Sequence, residues 1–302
     1  MSGLLFALAA LWSAPQESPR IYSFDLDVHA VYIDVYVTRD GKPAADIDAS
    51  RFTVFDNGVR QSLDLVTKDV TPLSTMLLLD ISGSVSGEKL NDLRAAAHFF
   101  VDGLDPRDEV GLVSFTRRMR LGSSMSGDFA RIHAALDEPM GAGETGLNDA
   151  LFAGLSLLHG SPGRPLVLVF SDGLENTSWL TTSEVLEQVR GAPVVIHVVA
   201  VTTPQIASRS LSGRARTRNK TVIAAKYLSD LTEATGGREW SAESTSELRA
   251  IYLSILAEMK NRYLIGYQPR GVPLPGWHEV RVEVDGFGPD EVRARPGYSV
   301  QP

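Results

Sequence analysis

Two near-continuous apolar runs constrain the fold of this chain more than any other feature. Residues 75–80 read Thr-Met-Leu-Leu-Leu-Asp, and residues 165–170 read Pro-Leu-Val-Leu-Val-Phe. Strands with this composition are buried on both faces, which is typical of parallel sheets covered by helices. Strand and helix patterns alternate from about residue 74 to about residue 260. The sequence therefore predicts an α/β fold with a doubly wound, mostly parallel sheet.

Hydrophobic periodicity places the individual elements of this central region. The predicted strands are 75–80, 109–115, 165–170, 193–201 and 237–241. The predicted helices are 88–104, 129–136, 147–158, 183–190, 222–234 and 246–259. The strict alternation of the two element types indicates helices on both faces of the sheet.

Both ends of the chain show the period of two that is typical of half-buried strands. Asn57-Gly58 predicts a hairpin turn between a strand at 52–55 and a partner at 59–66. The alternation starts again at residue 263, and its last predicted strand is 291–300. Neither end has enough strands to be stable alone. We therefore expect residues 21–70 and 261–302 to form one β-sandwich, with residues 71–260 inserted between them.

The N-terminus carries an apolar run, Leu-Leu-Phe-Ala-Leu-Ala-Ala-Leu, at residues 4–11. This run has the length of a signal-peptide core and is too short to span a bilayer. No Lys or Arg precedes it, so a buried helix or a displaced start site remains the alternative. We expect residues 1–20 to be a leader segment and the protein to be periplasmic or extracellular. No other apolar stretch reaches transmembrane length, so we expect no stable membrane anchor.

Composition excludes several classes of function. The 302 residues include 29 Lys and Arg, 37 Asp and Glu and no Cys, for a net charge of −8. The acidic surplus argues against a nucleic-acid partner, and the missing Cys excludes disulfides, Cys-ligated metals and thiol catalysis. No phosphate-binding loop, Gly-x-Ser-x-Gly elbow or H-E-x-x-H motif is present. We therefore expect a protein that is not an enzyme.

Oxygen-bearing side chains follow the two buried strands. The first buried strand ends in Asp80, which Ser82 and Ser84 closely follow, and Asp172 follows the second buried strand. The Gly-rich segment between them carries Thr145 at the start of a predicted helix. Ligands bind at the carboxyl ends of the strands in sheets of this type. Carboxylate and hydroxyl oxygens suit hard cations such as Mg²⁺. The alternative is that Asp80, Ser82 or Ser84 caps the next helix without a metal.

This pattern resembles the von Willebrand factor A (VWFA) domain and its metal-ion-dependent adhesion site (MIDAS), over roughly residues 72–260. The resemblance implies one divalent cation, Mg²⁺ or else Mn²⁺ or Ca²⁺. It also implies that Ser82 and Ser84 bind the metal directly and Thr145 directly or through water. Asp80 and Asp172 supply charge, at least one of them through water. The open coordination position then takes an Asp or Glu side chain of a protein partner, for adhesion or assembly.

The flanking segments, HAVYIDVYVTRDGKPAADIDASRFTVFDNGVRQ and RYLIGYQPRG to VRARPGYSV, are similar to the bacterial, acidobacterial-type VWFA-related family. That similarity implies a secreted bacterial protein with a signal peptide. The expected function is metal-dependent protein binding. The alternatives are a scaffold whose metal only adds stability, and an accessory subunit of a chelatase-type ATPase assembly. A hydrolase is disfavoured, because no nucleophile–base pair is visible.

Several further residues are interpreted as ordinary structure rather than function. We expect Glu144, Glu175 and Asn176 to be solvated loop residues, although Glu144 is alternatively an internal ligand. The basic stretch is expected to form a solvated loop and comprises Arg209, Arg214, Arg216, Arg218 and Lys220. His197 is expected in the core. Four aromatic residues are expected to lie in the core and on the strand faces of the sandwich, and not to form a sugar-binding platform: Tyr263, Tyr267, Trp277 and Tyr298.

Overall fold

The computed structural model describes residues 30–300 except 45, 69–70, 84, 86, 139–142, 172–176, 202–210, 243–244 and 274. The predicted leader, residues 1–20, lies outside this range. The strands are β1 (Val31–Arg39), β2 (Lys42–Pro43), β3 (Phe52–Asp56), β4 (Val59–Arg60), β5 (Leu63–Thr67), β6 (Leu73–Asp80), β7 (Glu109–Phe115), β8 (Met119–Ser126), β9 (Arg164–Phe170), β10 (Val195–Val201), β11 (Arg238–Ala242), β12 (Tyr263–Tyr267), β13 (Gly276–Val284), β14 (Val292–Arg293) and β15 (Gly297–Val300). The α-helices are α1 (Glu88–Asp102), α2 (Phe129–Asp137), α3 (Leu147–Leu158), α4 (Thr182–Gly191), α5 (Leu211–Thr235) and α6 (Thr245–Lys260). Short 3₁₀ helices cover Ala49–Arg51 and Pro289–Glu291.

Six strands form the central sheet, in the order β11-β10-β9-β6-β7-β8. All neighbouring strands in it are parallel except β7 and β8, which are antiparallel. Every residue of β6 is buried, as the continuous apolar run predicts. The predicted α/β fold class with a mostly parallel sheet is therefore confirmed.

Helices cover both faces of the central sheet. Leu77 and Leu79 lie in a core shared with α1, α2 and α6. Met76 and Leu78, which alternate with them along β6, lie in a second core shared with α3, α4 and α5. Consecutive side chains of a strand point to opposite faces, so one fully apolar strand supplies both cores. This double burial makes β6 a rigid base for the residues that follow it.

Two antiparallel sheets, here called the terminal sheets, are built from both ends of the described chain. One has the order β14-β1-β12-β5 with β2 added at β1, and the other has the order β15-β13-β3-β4. Alternate residues of both, such as Val35, Val54, Ile265 and Val280, form a third core. The terminal sheets therefore pack against each other through one apolar layer.

A buried polar cluster crosses this third core. The carboxylate of Asp56 accepts hydrogen bonds from the hydroxyls of Tyr298 at 2.7 Å and Tyr267 at 2.9 Å, and it lies 2.7 Å from Nδ1 of His278. Burial, reinforced by the Asp56 charge, raises the pKa of both tyrosines. Both hydroxyls therefore stay protonated and act as donors to Asp56. Tyr263 is buried here too, whereas Trp277 lies half exposed on a face of β13, in agreement with the predicted core and strand-face positions.

A second buried cluster joins the central sheet to the terminal sheets at the end of α6. The carboxylate of Glu258 lies 2.5 Å from Arg262 and 3.2 Å from Nε2 of His197 on β10, and it also pairs with Arg293 on β14. Burial alone would raise the pKa of Glu258, but its three partners together lower it below the ordinary value. The side chain of His197 is fully buried, so its predicted place in the core is confirmed.

The structure corrects three strand predictions. The predicted partner strand 59–66 is split between β4, which pairs with β3, and β5, which pairs with β12 in the other terminal sheet. The predicted strand 291–300 is divided into β14 and β15, which also belong to different terminal sheets. The edge strand β8 was not predicted, because Gly and Ser interrupt its apolar residues and only one of its eight residues is buried. Tertiary pairing outweighs local pattern in all three cases.

The structure also differs from the prediction that the basic stretch forms a loop. The backbone of this stretch is helical from Leu211 onward as the first part of α5, whereas Arg209 lies outside the described residues. Arg, Lys and Ala favour helices, and they outweigh the interleaved Ser, Thr and Gly here. None of the helices in the described ranges is both long enough and apolar enough to cross a membrane.

Candidate functional site

The candidate site lies where β6, β7 and β9 end, here called the carboxyl edge of the central sheet. These strands are parallel neighbours, and their last residues are Asp80, Phe115 and Phe170. The backbone N–H of Ile81 donates to the carbonyl of Phe115 at 2.9 Å, which holds the chain leaving β6 against the end of β7. The expected meeting of strand ends at one edge is thus observed for the described residues.

Asp80 is held in a single orientation by its neighbours. Its side chain is fully buried, with 0% exposure. One carboxylate oxygen accepts the backbone N–H of Ser82 at 2.9 Å, and the other accepts the hydroxyl of Ser171 at 2.7 Å. The carboxylate therefore connects the loop after β6 with the loop after β9, which is the loop that carries Asp172 in the sequence.

The loop with Thr145 is attached to the same edge by backbone contacts. The N–H of Gly83 donates to the carbonyl of Gly143 at 2.8 Å, and the N–H of Gly146 donates to the carbonyl of Thr116 at 3.1 Å. A Cβ at Gly146 would come within 3.0 Å of that same carbonyl, so this close approach favours glycine. The side chain of Thr145 is buried as a result.

The structure thus brings Asp80, Ser82 and Thr145 to one edge, all three buried. Ser84 and Asp172 lie outside the described residues, so the five-residue ligand set stays a prediction. Within the described ranges, no group of three or more His, Cys, Asp or Glu is arranged to hold a metal ion. Most of the predicted ligands are hydroxyls, and this all-oxygen set fits a hard divalent cation.

Neither Asp80 nor Ser82 is the N-cap residue of the next helix. That position of α1 is Gly87, which has no side chain to form a capping hydrogen bond. The N-cap residue of α3 is Gly146, which forms no side-chain cap either. The capping role that the sequence left open is therefore not observed at the N-cap for Asp80 and Ser82, whereas Ser84 lies outside the described residues.

The rim of the site contains residues that the sequence reasoning missed. Asn148 is buried on α3, and its side-chain amide donates to the carbonyl of Leu180 at 2.9 Å. Asp149 accepts the N–H groups of Trp179 at 3.0 Å and Leu180 at 3.1 Å. Asn148 and Asp149 follow Thr145 in the sequence within about one helical turn. This proximity is the one sequence feature that links them to the site. Glu144 is exposed, in agreement with the expectation of a solvated residue.

The central region matches a known domain family. Residues 75–175 match the family model of the von Willebrand factor type A domain. Human inter-alpha-trypsin inhibitor heavy chain H6 is 29% identical over 135 residues, which are 39% of this chain and 10% of that protein. The H1 heavy chain of Mesocricetus auratus is 29% identical over 140 residues, which are 41% of this chain and 15% of that protein. The chain thus spans only a small part of both relatives.

A solved structure has a similar fold. Proximal thread matrix protein 1 from the mussel byssus, with zinc in its MIDAS motif, aligns with a TM-score of 0.50 and 15% identity. The alignment covers 68% of this chain and 50% of that one. At this level of identity the likeness concerns the fold alone.

Proposed function

We propose that this chain, which contains a von Willebrand factor type A domain, is a metal-dependent protein-binding module. One observation carries the proposal. Asp80, Ser82 and Thr145 are buried, oxygen-bearing residues that two loops bring to the carboxyl edge. A protein of similar fold holds zinc at its MIDAS motif, which supports a divalent cation at the corresponding edge here.

In this proposal the cation is held by Asp80, Ser82, Thr145 and the predicted ligands Ser84 and Asp172. Mg²⁺ is the expected ion because it prefers oxygen ligands and keeps part of its water shell. When bound, it offers an electrophilic position to an Asp or Glu side chain of a partner. The Asp80 carboxylate, oriented by its hydrogen bonds with Ser82 and Ser171, would supply negative charge to the cation. Such a centre binds and does not catalyse.

We further propose the setting in which this module works. The apolar residues 4–11 support export to the periplasm or the cell surface. The pairing of β1 with β12, and of β3 with β13, supports a sandwich of residues 21–70 and 261–302 that carries the inserted domain 71–260. The module would then be displayed on a support formed by both chain ends.

Calorimetric titration of the purified chain with Mg²⁺, Mn²⁺ and Ca²⁺ tests the metal site. The wild type should bind one ion, and Asp80→Asn should weaken binding at least about tenfold, since it removes the buried carboxylate charge. Asp290→Asn is the matched control, because Asp290 is exposed and distant in sequence from every predicted ligand. Equal metal affinity of the wild type and Asp80→Asn contradicts the metal site.

A scaffold with a purely stabilising metal is the second candidate, favoured by the complete burial of Asp80. Bound metal raises stability by RT ln(1 + [L]/Kd) in either case. A pull-down from the native cell envelope in Mg²⁺ and in EDTA separates the two. A partner retained only in Mg²⁺, and lost with Asp80→Asn, supports binding. A large Mg²⁺-dependent rise in Tm with no Mg²⁺-dependent partner supports the scaffold.

A further inference from the structure

Trp179 is exposed to a degree that is unusual for its size. Its side chain has 95% exposure, the largest value among the exposed large apolar residues of the described chain. Leaving such a side chain in water forgoes the favourable free energy of burying its apolar surface. Trp is also the residue type most enriched among those that dominate protein–protein binding energies. This exposure needs an explanation beyond the fold.

The backbone around Trp179 is fixed although the side chain is free of packing. Asp149 accepts the N–H groups of Trp179 and Leu180, and Asn148 donates to the carbonyl of Leu180. Asn148 is itself held by the hydroxyl of Tyr227 on α5. After Leu180 the chain enters α4 through the capping box of Thr181. A side chain on so constrained a backbone is pre-organised for contact.

The loop with Trp179, residues 177–180, lies directly against the loop with Thr145. A Cβ at Gly146 would lie 3.5 Å from the hydroxyl of Ser178 and 3.8 Å from the side chain of Thr177. The N–H of Asp149 also donates to the hydroxyl of Ser178 at 3.3 Å. Trp179 therefore stands on the rim of the carboxyl edge, beside the candidate metal centre.

A basic turn forms another part of this rim. The turn at residues 116–118 contacts Gly143 and Gly146, and its Arg117 and Arg118 are both exposed. These two arginines offer positive charge to an acidic segment at this side of the rim, although the whole chain has a net charge of −8.

We propose that Trp179, Arg117 and Arg118 form one contact surface with the candidate metal centre. The partner is a protein segment that carries an apolar side chain within a few residues of an Asp or Glu. The acidic side chain faces the metal centre and the arginines, and the apolar side chain packs on the indole of Trp179. The acidic part of this recognition rests on the proposed function, whereas the contact with Trp179 does not.

A phage-displayed library of linear 12-residue peptides, each with one fixed Asp, tests the surface. The library is selected on the immobilised full chain in Mg²⁺, and enriched peptides are synthesised and titrated. We expect enrichment of aromatic or long aliphatic residues near the fixed Asp. Trp179→Ala should weaken the binding of these peptides at least about 30-fold, the usual effect at a dominant contact residue. Trp179→Phe should retain part of the affinity.

Trp277→Ala is the matched control, since Trp277 is also a partly exposed indole but lies on β13 in the terminal sheets. It should leave peptide affinity unchanged. The side chain of Trp179 makes so little contact that Trp179→Ala should fold normally, which the Tm of each variant checks. Loss of affinity therefore cannot be attributed to unfolding.

Five outcomes separate this inference from the proposed function. Peptides that need both Mg²⁺ and Trp179 support both. Peptides that need Trp179 but bind equally in EDTA support the contact surface and contradict the metal bridge. Peptides that need Mg²⁺ but bind Trp179→Ala within about twofold of the wild type overturn the contact surface. No enrichment on the wild type, or enrichment without an apolar preference, overturns it as well.

Discussion

Replacing Glu258 by Gln should destabilise the whole chain strongly. The Glu258 side chain has 3% exposure and faces Arg262, Arg293 and His197. Gln keeps the size but removes the charge, so two guanidinium groups lose their counter-ion. Breaking a buried ion pair in this way costs about 3–5 kcal/mol, because a buried charge is left uncompensated. For a chain of this length we expect a fall in Tm of roughly 10 °C.

Urea unfolding at pH 7, followed by circular dichroism, measures this loss. The matched control is Glu283→Gln, because Glu283 pairs with Arg281 on the surface and both side chains are more than half exposed. Exposed pairs contribute about 0–1 kcal/mol, so the control should change little. Adding Arg293→Gln to Glu258→Gln removes one uncompensated charge and should recover part of the stability. A cost for Glu258→Gln as small as that of the control would refute the reasoning.

Three further predictions concern the described core. Gly237→Ala should prevent normal folding, because its Cβ would overlap the backbone carbonyl of Ile196; soluble protein with wild-type Tm would contradict this. Tyr298→Phe should cost about 2 kcal/mol in urea unfolding, since buried Asp56 loses a charge-assisted hydrogen bond. Burial lowers the pKa of His197 in the native state. Below about pH 6.5, His197 therefore binds a proton in the unfolded chain but not in the native one. Stability should therefore fall from pH 7 to pH 5, and less steeply in His197→Gln.

The fold class was predictable because β6 and β9 carry a pattern that only doubly buried strands need. A continuous apolar run such as residues 75–80 leaves little choice of environment. Edge strands, and consecutive strands that belong to different sheets, show no comparable sequence pattern. β8 is largely exposed, and β4 and β5 are separated only by Gln61 and Ser62 although they belong to different sheets. Their pairing depends on partners distant in sequence.

The candidate site was predictable in part, and for a similar reason. Polar residues directly after a buried strand must lie at its carboxyl edge, so the positions of Asp80 and Ser82 follow from β6. The burial of Thr145 depends on contacts of Gly143 and Gly146 with other loops, and only the family resemblance indicated it. The role of Asn148 depends on hydrogen bonds that join α3 to α5 and to the loop before α4, which no local pattern encodes.

The pairing of β5 with β12 has a consequence for how such a chain could arise. Thr67 and Leu264 lie opposite each other in neighbouring antiparallel strands, although the whole central sheet separates them in sequence. A turn of a few residues would join strands placed this way into an ordinary hairpin. In the proposed domain arrangement, residues 71–260 take the place that a hairpin loop would have between these two strands. The strand pairing of β5 with β12 would then be compatible with a chain that either contains or lacks the inserted domain.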